Sequence, residues 1–166
     1  MKVIQTNPNQ IGYLYTMIWS ILLTYSHYLC IIVLIAAVFA EQFFVQKTMT
    51  KSALNKLVVI DGIYGLSAIF VVTTGLLRVF FYAKGADYYF SNDIFILKFS
   101  LFILVGLLSI IPTVIFLQSR KKMKKEGLES IDLIRYRIIF WSVRLELILL
   151  LLIPLLAVLM ANGVDL

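Results

Sequence analysis

The sequence predicts an all-α integral membrane protein, an up-down-up-down four-helix transmembrane bundle. Three observations carry that prediction. Of the 166 residues, 61% are hydrophobic, well above the ~45–50% of soluble domains, and the mean hydropathy is +0.96. The apolar residues gather in four stretches, each longer than the ~20 residues that cross a bilayer. The formal charge of +6 is concentrated between those stretches. A water-soluble core of this length cannot hide so much apolar surface, whereas lipid removes the need for a polar exterior. The whole chain, 1–166, reads as a single transmembrane domain.

The first span covers residues 16–44. The preceding MKVIQTNPNQ has no basic stretch leading into an apolar run, so this span is expected to stay in the mature protein. Tyr13, Tyr15 and Trp19 fit one interfacial belt, and Phe43 and Phe44 the other. A basic linker, QKTMTKSALNK, brings Lys47, Lys51 and Lys56 before a second span at 57–82. The segment GLLRVFFYAKGADYYFSNDIFILKFS then forms an aromatic turn. It sets Tyr82, Tyr88, Tyr89 and Phe90 between Lys84, Asp87, Asn92 and Asp93, as rings and charges at headgroup level would be. The third span covers 94–117 and ends in SRKKMKKEG, where Arg120, Lys121, Lys122, Lys124 and Lys125 precede Gly127. Ser130 can cap the helix of the fourth span, 133–160.

Short linkers make consecutive helices antiparallel neighbours. Ala36, Ala37, Ala40, Gly62, Gly65, Ala68, Gly106 and Ser109 mark expected close approaches. Pro112 and Pro154 each remove one helical hydrogen bond and should bend their helices. Four spans put both basic linkers on one side, and the positive-inside rule makes that side cytoplasmic. Both termini and the aromatic turn then face outward, across a bacterial inner membrane. The expected partners are the lipid bilayer and, at the basic cytoplasmic loops, anionic headgroups, with no nucleic acid. Oligomeric state stays open, a homo-oligomer included. The single Cys30 allows no internal disulfide and no Cys-rich metal site.

Ionisable residues inside a span are candidate functional groups, because burying them costs energy. The outward half holds His27, Arg78 and Lys98. The inward half holds Glu41, Asp61, Arg135, Arg137, Arg144 and Glu146. His27, the only histidine, shares a helix face with Cys30, Ile31, Leu34, Ala37 and Glu41 at ~100° per residue. It reads either as a metal or haem ligand or proton relay, or as a histidine bonded to a neighbouring hydroxyl or carbonyl. Arg78 and Lys98 either snorkel to lipid phosphates or form a cationic rim for a ligand's acidic groups, with Tyr82 or Tyr88 at the mouth. Glu41 and Asp61 are expected to pair with Arg137 or Arg144 in a structural network. Glu146 is nearest the midplane and must be paired inside the bundle or carry a proton. No hydrolase constellation is present, and no catalytic residue is assigned.

The stretches SHYLCIIVLIAAVFAEQFF, GLLRVFFYAKGADYYFSNDIFILKFSLF, LLSIIPT and RLELILLLLIPLLAVLMANG resemble a bacterial family of predicted inner-membrane proteins of unknown function (domain of unknown function 2214). A more distant resemblance is to HemJ-type protoporphyrinogen oxidases and CopD-like membrane proteins. It rests on His27 in span one and Lys98 in FILKFSLF. That resemblance implies haem b held by His27 and Lys98. The pattern departs from those enzymes in lacking a second histidine in span three and their Asn-Glu-x-Pro-like motif in span four.

Two functional expectations follow. In the first, an outward-facing pocket binds haem or another porphyrin or redox cofactor through His27, with Arg78 and Lys98 neutralising propionates. In the second, the chain is a non-enzymatic bundle, a transport or accessory subunit or a lipid-interacting protein, whose polar residues are structural ion pairs.

Overall fold

The computed structural model describes residues 8–47, 49–126 and 133–164. The described chain is helical almost throughout: α1 (Pro8–Phe44), α2 (Lys51–Leu77), a π-helical turn (Arg78–Tyr82), α3 (Ala86–Phe90), α4 (Asp93–Glu126) and α5 (Leu133–Ala161). The four long helices are apolar and long enough to cross a membrane. They pack in a ring, α1 on α2, α2 on α4, α4 on α5 and α5 on α1. Residues such as Ile69, Leu107 and Leu151 stay exposed on the outside of the ring, a surface that lipid rather than water matches. We call the end holding the start of α1 and the end of α5 the termini end, and the opposite end the loop end.

The apolar spans fall where the sequence places them, but three helices outrun their lipid-crossing parts. α2 starts at Lys51, where the Thr50 hydroxyl accepts from the Ala53 N–H and caps the helix. α4 carries on through the basic run to Glu126, and α1 begins at Pro8. Lys and Arg are good helix formers, so backbone bonding need not stop where the lipid does. The loop between α1 and α2 is not simply polar: Val45 and Met49 are buried and plug the loop end. The expected cap at Ser130 and the break at Gly127 lie outside the described residues.

Close helix approach follows only some of the small residues the sequence singles out: Ala37 is buried in the core and Ala68 packs against it. A side chain at Gly62, Gly65 or Gly106 would meet nothing within 4 Å, and Ala36 is exposed. The tight contact is at Gly75, where an added Cβ would come 3.2 Å from Cε1 of His27. Both prolines sit inside continuous helices, and Pro112 is fully buried.

The aromatic turn is more structured than a simple hairpin. Gly85 takes a φ of 92°, open to glycine without strain, and lets the short α3 fold back. Its rings pack on one another: Tyr89 and Phe90 on Phe95 at 5.2 and 5.6 Å, Phe80 on Phe90 at 6.3 Å, and Phe95 stacked on Phe99 at 6.2 Å. With Val79, Ile94 and Met160 this forms a second, smaller core at the termini end.

Candidate functional site

The buried face of α2 carries a polar stripe: Asp61, Tyr64, Ser67 and Thr74 are all buried, with Arg78 half-buried one turn further. Spacings of three, three, seven and four residues keep them on one face. Around this stripe the other helices build two polar layers. Tyr64 and Thr74 are ten residues apart, so the layers are separated by ~15 Å along the bundle.

The layer nearer the termini end is built around His27. Its Nδ1 lies 2.9 Å from the Thr74 hydroxyl. Thr74 has one proton, and it donates to the Phe70 carbonyl at 2.6 Å. The hydroxyl must therefore accept from His27, which puts a proton on Nδ1. Arg78 stacks over Tyr28, one residue from His27, at 5.7 Å. Lys98 lies over Phe95 at 5.0 Å. Both cations act electrostatically on the His27 ring, and Arg78 acts on Lys98. Three helices thus bring two positive charges toward one imidazole, and among the described residues neither charge is paired with a carboxylate. The π turn that starts at Arg78 was not foreseen. Such turns insert a residue and re-aim the side chains that follow.

Tyr88 and Tyr82 are both exposed. Lys84 donates to the Tyr88 hydroxyl at 3.1 Å and lies 4.3 Å over its ring. Tyr88 therefore belongs to the surface of the turn, with its hydrogen bond and ring contact to Lys84.

The second layer is acidic. Glu41 of α1 and Glu146 of α5 are 1% and 0% exposed, and Asp61 of α2 is buried beside them. The three carboxyl groups interact electrostatically with one another. Tyr64 lies alongside Glu146, Glu41 and Ser109. Thr113 of α4 lies 2.7 Å from Asp61 and 2.8 Å from the Ser109 carbonyl. None of the four oxygens of Glu41 and Glu146 has a hydrogen-bond partner. Tyr64 is close to Glu146 without the distance and angle of a bond.

The ion-pair network expected for Glu41, Asp61, Arg137, Arg144 and Glu146 is not formed. Arg137 and Arg144 are exposed, and Arg144 lies over Phe140 and Trp141 on the outside of α5, at 5.6 and 5.8 Å. Residues two apart on a helix point to nearly opposite sides, so turning Glu146 inward turns Arg144 out. Arg135 reaches Ser119 only at 3.5 Å. Among the described residues no group of three His, Cys, Asp or Glu side chains is placed to hold a metal ion. Two clefts open at the loop end. One, of about 290 Å³, is lined by Gln118, Lys121, Lys122, Lys125 and Arg135, and the other, of about 440 Å³, by Phe44, Ser52, Asn55, Lys56, Val59 and Ile60.

Four apolar helices closed in a ring around buried polar layers define a small multi-span membrane bundle. Residues 19–165 match the family described as "Predicted membrane protein (DUF2214)", and the chain belongs to it. No curated protein and no solved structure matches the chain. The likeness to HemJ-type oxidases and CopD-like proteins therefore finds no support in these comparisons.

Proposed function

We propose that the protein is a non-enzymatic membrane bundle that receives the acidic group of an amphiphilic ligand in its termini-end half. One observation supports the reading: Arg78, over the Tyr28 ring, and Lys98, over the Phe95 ring, both act electrostatically on His27, and among the described residues neither is paired with a carboxylate. Two like charges drawn together near apolar surroundings favour an anion between them. A carboxylate or phosphate monoanion would satisfy both. The exposed rings of Phe80 and Phe81 give an apolar tail a surface beside the charges. With the basic linkers in the cytoplasm, as the positive-inside rule implies, this half faces outward. The cleft lined by Lys121, Lys125 and Arg135 suits anionic headgroups of the inner leaflet.

Haem fits this chemistry only in part. The Nδ1–H bond to Thr74 is the orienting contact a metal-binding histidine uses. The Cε1 edge of the ring, however, rests close on Gly75, which crowds that side of the imidazole.

Thermal unfolding of the full chain in neutral detergent tests the reading, with added fatty acid, phosphatidylglycerol or phosphatidylcholine. The two acidic amphiphiles are expected to stabilise, by ~2.7 kcal/mol at a hundredfold excess over Kd, and phosphatidylcholine is not. Arg78→Gln/Lys98→Gln should abolish the difference. Equal stabilisation by all three would leave the two cations as headgroup anchors. A Soret band in freshly purified protein would restore the porphyrin reading.

A further inference from the structure

The acidic layer raises a separate question from the cationic one. A carboxylate in a membrane interior is expensive unless it is paired, solvated or neutral. Here three carboxyl groups from three helices interact with one another, and among the described residues no oxygen of the two buried glutamates has a hydrogen-bond partner of good geometry. The groups facing the layer can be named helix by helix. α1 offers Glu41, α2 offers Asp61 and Tyr64, α4 the hydroxyls of Ser109 and Thr113, and α5 Glu146. Among the described residues no cation faces it, since Arg137 and Arg144 are exposed outside α5.

The layer is closed on both sides. Toward the loop end lie the buried Met49, Leu54, Leu57 and Phe116, and toward the termini end the buried Leu34, Val71 and Val105. Neutralisation must therefore come from a ligand small enough to pass these seals. The side chains are not placed to surround a metal ion, but a proton needs no chelating geometry.

Thr113 supplies the further observation. Its hydroxyl stands 2.7 Å from Asp61 and 2.8 Å from the Ser109 carbonyl, and it has one proton to give. When Asp61 is ionised, Thr113 donates to it. When Asp61 takes up a proton, Asp61 donates to Thr113, and the hydroxyl turns to the Ser109 carbonyl one turn back, a bond open to any helical threonine. Both states are satisfied without moving a heavy atom.

We propose that Glu41, Asp61 and Glu146 form an occluded proton-exchanging site in the middle of the bundle. A proton from water at one end converts one carboxylate to a carboxylic acid. Its release regenerates the carboxylate, and each event changes the charge of the layer by one. Tyr64 lies alongside both glutamates. The apolar seals make exchange dependent on a transient opening of one end.

The test uses the full chain in phosphatidylcholine vesicles and dicyclohexylcarbodiimide, a lipid-soluble reagent that adds to protonated carboxyl groups. Peptide mapping is expected to find the adduct on Glu41 or Glu146, with a yield that falls as pH rises and does not change with sodium or potassium chloride. Glu41→Gln/Glu146→Gln should reduce labelling of the layer to background. Infrared spectra of the wild type should show a carboxylic acid C=O band that titrates away over the same pH range, a readout that stands even if the double variant fails to fold. No adduct on the layer at any pH, labelling indifferent to pH, or protection by sodium ions would overturn the proposal, the last by making the ligand a metal cation.

Discussion

His27 shows how a residue's setting can be half legible. Its inward direction follows from the face it shares with Leu34, Ala37 and Glu41, which are all buried. Its partner does not follow, because Thr74 is 47 residues away and the register of α1 on α2 is written in neither helix alone. The bond satisfies a donor away from water. Thr74→Val keeps the shape but strands the Nδ1–H, which should cost ~1–3 kcal/mol. Thr74→Ser should recover most of that loss. Thermal unfolding in detergent checks both, and equal stability of all three proteins would mean that water reaches the ring. At Gly75 the spacing is tight but not closed, 3.2 Å to the ring carbon. Alanine there must push the imidazole by a few tenths of an ångström, and a larger side chain would displace it.

At the scale of helices, hydropathy located the spans and misjudged their ends. It reads where lipid is, whereas a helix ends where its backbone bonding is capped or broken. Lys51–Lys56 and Arg120–Lys125 are helical although water surrounds their side chains. The π turn at Arg78–Tyr82 left no mark in composition, since RVFFY suits an α-helix equally well. The missing ion pairs were legible in principle. Spacing alone sets Arg144 opposite Glu146, so the arginine that seemed the natural partner is the one α5 turns outward. This gives a test that separates the two arrangements. Arg144→Gln should change stability by no more than the ~0.5–1 kcal/mol of its ring contacts. Combined with Glu41→Gln, it should show additive effects, as residues without a shared contact do. A coupling energy of ~1 kcal/mol or more in that cycle would restore the network.

For the whole molecule, the two polar layers lie ~15 Å apart on one face of α2, and orientation decides which side of the membrane each serves. The bundle itself does not choose, because a four-helix ring is equally stable either way up in a symmetric bilayer. The choice comes from charge. Lys47, Lys51, Lys56 and Arg120–Lys125 all belong to the loop end, and the helical course of both basic runs keeps them at that end of the bundle. At the termini end the described cations are fewer, and Arg78 and Lys98 there are drawn onto aromatic rings within the spans. Positive residues resist translocation, so the loop end is expected in the cytoplasm and both termini outside. Fusing alkaline phosphatase after Leu166 should give active enzyme, and a green fluorescent protein fused at the same place should stay dark. Fluorescence from that fusion would invert the protein. The helices and their contacts would stand, but Arg78, Lys98 and His27 would then meet ligands from the inner leaflet, and the acidic layer would lie nearer the outer one.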